Sequence, residues 1–340
     1  MSTSIATSEI TEASLASPVN EAVAQPVQEG LSATPKWLPA WLFYDAQGSR
    51  LFERITHLPE YYLTRTERAI FTGYADGIIA AAIDAYATAG GTGKGRLRLL
   101  ELGAGSATKT GILLAAAVRL QDETEYLPID VSETAMEDAC ASIARALTGV
   151  VVQPQVANYV TDELSIPPHD GPTLALYIGS SIGNFAPHEA VAILQNLRAQ
   201  MRPGDTLLLG TDLVKDAATL ISAYNDHDGV TAAFNLNVLR RINRDLRANF
   251  DLASFTHQAI WNAEQSRMEM HLQSTKEQTV RVGALRTSFQ FDAGETIHTE
   301  NSYKFTKDAI RNLFTQSGFQ AAHQWTDEDQ LFAVTVASAA

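Results

Sequence analysis

The residues with the clearest chemical promise lie in Leu97–Leu114 (LRLLELGAGSATKTGILL) and in the strand predicted after it. Leu97, Leu99, Leu100 and Leu102 form a nearly continuous aliphatic run, as in a parallel strand buried on both faces. Gly103 and Gly105 supply a turn without Cβ atoms, so the backbone can bend sharply and approach a ligand. A helix predicted to open near Ser106 points its first N–H groups into the same crevice. Thr108 stands where the dinucleotide fingerprint has its third glycine, so the turn alone suits either a ligand loop or a plain connection. Tyr126–Val131 (YLPIDV) predicts the next strand and ends in Asp130. Doubly wound folds place a ribose-binding carboxylate there, about 20 residues past the glycines. Together these features suggest a nucleoside-bearing cofactor without saying which.

The elements that hold these residues alternate. Strands are expected over 97–102, 126–131, 151–157, 173–179 and 206–212, with helices such as 133–147 and 187–201 between them. Such alternation implies a parallel sheet with helices on both faces. Asn158-Tyr159 and Gly179–Asn184 (GSSIGN) follow the third and fourth strands, on the same ligand-binding edge as Gly103 and Gly105. Beyond residue 213 the pattern changes to helix over 214–250, with a loop at Asn225–Gly229, and then to short antiparallel strands over 256–303. Strict alternation in Arg267–Leu272 (RMEMHL) marks a half-buried strand. A helix over Lys307–Ser317 and a strand over Leu331–Ala337 return the chain to the sheet, so 214–303 reads as an insertion packed with the segment 30–75. That segment is rich in aromatic residues (Trp37, Trp41, Phe43, Tyr44, Phe52). In LPEYYLTRTE (58–67), Pro59 bars a helix, the paired tyrosines read as core anchors, and Thr64 with Glu67 predicts a capping box.

Composition removes several classes. A chain of 340 residues with net charge −14 does not suit electrostatic binding of nucleic acid or anionic membranes. No apolar run is long enough to span a bilayer. Cys140 is the one cysteine, so no intrachain disulfide forms; its helical setting makes it a packing residue. Residues 1–18 read as a disordered tail, and the first 30 residues carry no Lys or Arg, which argues against a secretory or transit signal. A cytoplasmic protein is expected. GGTGKG (90–95) lacks the first glycine and the Ser/Thr of a phosphate loop and reads as a flexible surface loop. No metal-ligand spacing and no G-x-S-x-G or H-E-x-x-H motif is present.

Several stretches converge on one family. LPEYYLTRTE (58–67), ELGAGSATKT (101–110), PIDVSE (128–133), IGSSIGNF (178–185), LLLGTDLVKD (207–216), AYNDHDGVTAAFN (223–235), RMEM (267–270) and TENSYKF (299–305) resemble the SAM-dependent histidine Nα-methyltransferases of ergothioneine biosynthesis. The resemblance runs from Leu31 to the C-terminus. It implies a Rossmann-like class I SAM methyltransferase α/β domain (76–213 with 304–340). A second, α+β substrate-binding domain would come from residues 19–75 and 214–303. Carried over position by position, S-adenosyl-L-methionine (SAM) would lie along Tyr44, Gly103, Lys109, Asp130, Asn158 and Tyr159. The family commonly has Asp-Phe where this chain has Asn158-Tyr159, which weakens the inference for adenine.

The same resemblance places the amino acid against Tyr61, Gly179, Asn184, Tyr224, Thr231, Met270, Glu300 and Ser302. Asn184 and Tyr224 would hold the α-carboxylate, and Glu300 with Ser302, two apart on one strand, would grip the imidazole. Tyr44 and Tyr61 are the candidate catalytic residues, as aromatic faces and hydroxyls near the amine. The implied activity is stepwise trimethylation of L-histidine to hercynine by a monomer, releasing S-adenosyl-L-homocysteine (SAH), with no covalent enzyme intermediate. Water or Tyr61 could take the proton released between stages. Two other readings stay open: the same chemistry on another aromatic amino acid such as tryptophan, and a non-catalytic SAM-binding protein.

Overall fold

The parallel core predicted by the alternation is present in the computed structural model, which describes residues 21–91, 95–105, 107–130, 133–159 and 164–339. The tail over 1–18 and part of the 90–95 loop fall outside the described residues. In chain order the elements are α1 (Glu21–Ser32), β1 (Lys36–Trp37), α2 (Ala46–Thr56), α3 (Tyr62–Thr88), β2 (Arg98–Leu102), α4 (Thr110–Gln121), β3 (Thr124–Asp130), α5 (Glu133–Ala146), β4 (Val150–Val152), β5 (Gln155–Val156), β6 (Thr173–Tyr177), α6 (Pro187–Ala199) and β7 (Thr206–Asp212). They continue with α7 (Ala217–Tyr224), α8 (Val230–Leu246), β8 (Phe255–Asn262), β9 (Arg267–Ser274), β10 (Gln278–Val282), β11 (Thr287–Phe291), β12 (Thr296–Tyr303), α9 (Lys307–Ser317), β13 (Phe319–Thr326) and β14 (Phe332–Ala339).

The large sheet runs β13-β14-β7-β6-β2-β3-β4, with β5 also on β3. Pairs among β2, β3, β4, β6 and β7 are parallel, while β14 is antiparallel to β7 and β13 to β14. Every residue of β2, β6 and β7 is buried, as their aliphatic sequences require in a sheet covered on both faces. This is a Rossmann-like α/β sheet, parallel at its centre and closed at one edge by two antiparallel strands. The strand predicted over 151–157 is broken into β4 and β5 around Pro154, which has no N–H for the ladder. β13 has no counterpart among the expected strands, because it is a largely exposed edge strand without apolar alternation.

A second sheet, β1-β12-β9-β8, makes the additional domain, with the β10-β11 hairpin beside it. β1 pairs parallel to β12 and so ties the N-terminal segment to the inserted strands. β12 carries a bulge: Ile297 faces Leu272 and His298 faces His271, but Glu300 already faces Met270. The extra residue, Thr299, reverses the side-chain parity, since a one-residue slip moves every later side chain to the other face. Glu300 and Ser302 consequently share the inner face with Met270 and Met268.

Two local expectations fail for tertiary reasons. No capping box forms at Thr64 and Glu67; α3 already opens at Tyr62, and its N-cap, Tyr61, makes no side-chain cap. Glu67 instead turns into the core, fully buried, where a charged partner outcompetes a local cap. α4 opens at Thr110, with Ala107 at φ 51° shortly before it; Ser106, where the sequence places the helix start, lies outside the described residues. The boundary drawn at 75/76 falls inside the unbroken α3.

Candidate active site

Where the turn after β6 meets the inner face of β9 and β12, the two sheets flank a cavity that is partly open to solvent. Tyr44, Tyr61, Gly179, Asn184, Tyr224, Thr231, Met270, Glu300 and Ser302 all line it, although they come from seven separate stretches of chain. Phe52 and Phe234, neither of them among the expected site residues, complete its apolar side. Phe234 stacks on Phe43 with ring centroids 4.5 Å apart, and Tyr44 meets Phe52 and Phe234 edge-on, each at 5.8 Å. The paired tyrosines divide their work. Tyr61 faces the cavity, where its ring lies 6.4 Å from that of Tyr224, whereas Tyr62 is a core anchor whose hydroxyl donates to Asp212.

The polar wall rests on buried charge. Asp212, at the end of β7, is completely buried and pairs with Lys215 at 2.5 Å and Lys304 at 2.9 Å. Lys304 also donates to the Tyr224 hydroxyl at 2.7 Å and to Ser302 Oγ at 2.8 Å. Burial raises the Glu300 carboxyl to about 7, with Lys304 drawing it down. Burial, reinforced by Tyr224 and Glu300, holds the Tyr61 phenol well above its ordinary range, so it stays protonated at neutral pH. Asp226 accepts the Val230 and Thr231 N–H groups at 2.8 and 2.7 Å, anchoring the start of α8. Thr231 Oγ1 is buried in the cavity wall with no hydrogen-bond partner among the described residues.

The adjoining sheet edge suits a nucleoside cofactor. Gly103 adopts φ +72°, and a Cβ there would lie 3.2 Å from the Tyr159 hydroxyl. Asp130, at the end of β3, accepts the Gly105 N–H at 3.1 Å and so closes the glycine turn over its own carboxylate. Tyr159 rests edge-on against Tyr177 at 5.7 Å, with Asn158 beside it in the chain. Lys109 pairs with Glu67, which also accepts the Gly179 N–H at 2.8 Å. Gly210 on β7 makes room for that carboxylate, since a Cβ would fall 2.1 Å from Glu67 Oε1. Tyr44 keeps 44% of its surface accessible. A carboxylate for a diol, an ammonium for an amino-acid carboxylate and glycines for close approach fit the chemistry of SAM.

Sequence reading missed Glu67, Asp212 and Lys304. Each sits in a stretch that carries the family resemblance, but nothing local marks a buried charge; only the pairing of distant segments does. The outer face of the second sheet also gathers Glu269, His271 and His298. The two imidazoles stack at 4.8 Å and 23°, so their in-plane lone pairs do not converge, and Arg267 already pairs with Glu269 at 2.7 Å. This is a cross-strand polar clamp.

The family described as histidine-specific, SAM-dependent methyltransferases matches residues 23–339. The histidine N-alpha-methyltransferase of Mycolicibacterium smegmatis is 41% identical over 93% of this chain and 95% of its own. That of Mycobacterium tuberculosis shows the same identity and coverage. An Aspergillus fumigatus N-methyltransferase is 28% identical over 89% of this chain and 80% of its own. With the whole fold and cavity inside the matched residues, the chain belongs to the histidine-specific, SAM-dependent methyltransferase family.

Proposed function

We propose that the protein methylates the α-amine of L-histidine three times, giving hercynine for ergothioneine biosynthesis. One observation carries the reading: every residue expected at the amino acid lines one cavity, with Glu300 and Ser302 side by side on its wall. SAM, when bound, supplies an electrophilic methyl group. Gly103, Asp130, Asn158 and Tyr159 would hold its nucleoside, and Lys109 and Tyr44 its amino-acid end. The Asn184 amide and the Tyr224 hydroxyl would fix the α-carboxylate and so aim the amine. Glu300 accepts a ring N–H, which a purely hydrocarbon side chain cannot provide.

Tyr44 and Tyr61 act as neutral phenols. Their faces favour the cationic amine as methyl groups accumulate. Because the Tyr61 phenol is held protonated, water is the better acceptor for the proton released between rounds. One chain supplies the whole cavity, so a monomer suffices. No described helix is long and apolar enough to cross a membrane, and the lone Cys140 accords with a cytoplasmic setting.

Purified protein incubated with L-histidine and SAM, followed by time-resolved mass spectrometry, tests the reading. Mono-, di- and trimethylated histidine should appear in turn, with the trimethylated product last. Unmodified histidine in a sample that binds SAM would overturn it.

A further inference from the structure

Lys304 does not line the cavity, yet its ammonium organises the wall. Its side chain is 0% exposed, donates to Tyr224 at 2.7 Å and to Ser302 at 2.8 Å, and forms an ion pair with Asp212 at 2.9 Å. The two hydroxyls take two of its three N–H donors, and Asp212 balances its charge. The Tyr224 and Ser302 oxygens are themselves 2.7 Å apart. Of their two protons, one lies between the oxygens, which leaves one O–H for a ligand. Ser302 offers it to the ring when Tyr224 donates; Tyr224 offers it to a carboxylate when the bond is reversed. Since Lys304 fills a lone pair on each oxygen, the pair faces the cavity chiefly as a donor.

Charge points the same way. Asp212 is shared by Lys215 and Lys304, so this buried cluster holds two cations and one anion. Glu300 and Ser302 lie two apart on one face of β12 after the bulge, and Lys304, just past the strand, reaches back to Ser302. The Glu300 carboxylate has no hydrogen bond among the described residues. Around it stand the phenols Tyr44, Tyr61 and Tyr224, and Lys304 as the cation. Asp212 and Lys215 lie behind Lys304, and Glu67 with Lys109 lies beyond Tyr61.

We propose that Lys304 is a positioning residue for the substrate side chain: it fixes the hydrogen-bond polarity of Tyr224 and Ser302 and supplies the positive charge opposite Glu300. The wall then offers one carboxylate acceptor and one hydroxyl donor, matching a neutral azole that carries one N–H and one bare nitrogen. This inference rests on histidine being the occupant.

Calorimetric titration of L-histidine into SAH-saturated protein between pH 6 and 9 tests it. Without Lys304, Glu300 holds its proton to higher pH, so Lys304→Met should weaken histidine about fivefold at pH 7 and recover in alkali, with its profile displaced by about one pH unit. Lys304→Arg keeps the charge and should keep the wild-type profile position. In a Glu300→Gln background, Lys304→Met should no longer displace the profile. Equal weakening at every pH, or a displacement that persists with Glu300→Gln, would make Lys304 merely structural. Ring-¹⁵N histidine bound to the wild type gives a readout independent of any variant's folding: one protonated and one hydrogen-bond-accepting nitrogen support the proposal, and two equivalent protonated nitrogens refute it. Failure of the wild type to bind histidine at all would overturn the substrate reading, and the role of Lys304 with it.

Discussion

At the cofactor edge, Gly103, Gly105 and Asp130 occupy one strand–turn–helix–strand passage, and much of what they offer is backbone geometry closed by a single carboxylate. At the amino-acid end, the ligand-facing groups come from α7, α8, β9, β12 and the turn after β6, held in place by a buried lattice of Asp212, Lys215 and Lys304. A site built from backbone is specified within about 30 residues of chain. A site built from paired charges exists only once distant segments meet, and its chemistry depends on the balance among them. The first suits a cofactor common to many reactions; the second discriminates between substrates.

If the two ends are separable in this way, substitutions should damage one and spare the other. Glu300→Ala removes the acceptor for the ring N–H, and kcat/KM for histidine should fall on the order of 10²-fold or more, while SAH affinity stays within about twofold. Loss of SAH binding in that variant would show the ends to be coupled. Gly103→Val is the mirror experiment. It places a β-branched residue at φ +72° and a Cβ 3.2 Å from Tyr159, so SAH affinity should drop roughly 10- to 100-fold. The far-ultraviolet dichroism and the pH profile of histidine binding at saturating SAH should be unchanged.

A smaller effect concerns stability. The folded-state carboxyl of Glu300 is raised from 4.5 to about 7, so its contribution is fully present below pH 4.5 and is lost as pH rises through about 7. Glu300→Gln stays neutral throughout. Its Tm should match the wild type below about pH 4.5 and exceed it by roughly 5 °C at pH 8. A Tm difference independent of pH would show that Glu300 does not titrate in this range. Glu101, raised to about 7 by burial, adds the same trend to both proteins.

The two ends also differ in how far the sequence discloses them. The aliphatic run, the glycines and Asp130 predict the cofactor edge directly, because strand burial and turn geometry are local properties. The helix over Lys307–Ser317 was legible to the residue, since Thr306 caps it and Gly318 ends it. The amino-acid wall was legible only through the family resemblance. Alternation places Glu300 and Ser302 on one face, but which face depends on the bulge at Thr299, and that emerges only from pairing with β9. Glu67 looked like a helix cap, and became a buried partner of Lys109 because Gly210, far along the chain, leaves space for it.

The most direct test of the central claim, that the Glu300–Ser302 wall selects an imidazole, is a one-pot competition. Equal L-histidine and L-tryptophan would be incubated with SAM and the wild-type protein, and all methylated species quantified by mass spectrometry. The structure predicts trimethylated histidine with tryptophan untouched. Methylated tryptophan at a comparable rate would leave the cofactor edge intact and contradict the assignment of the wall.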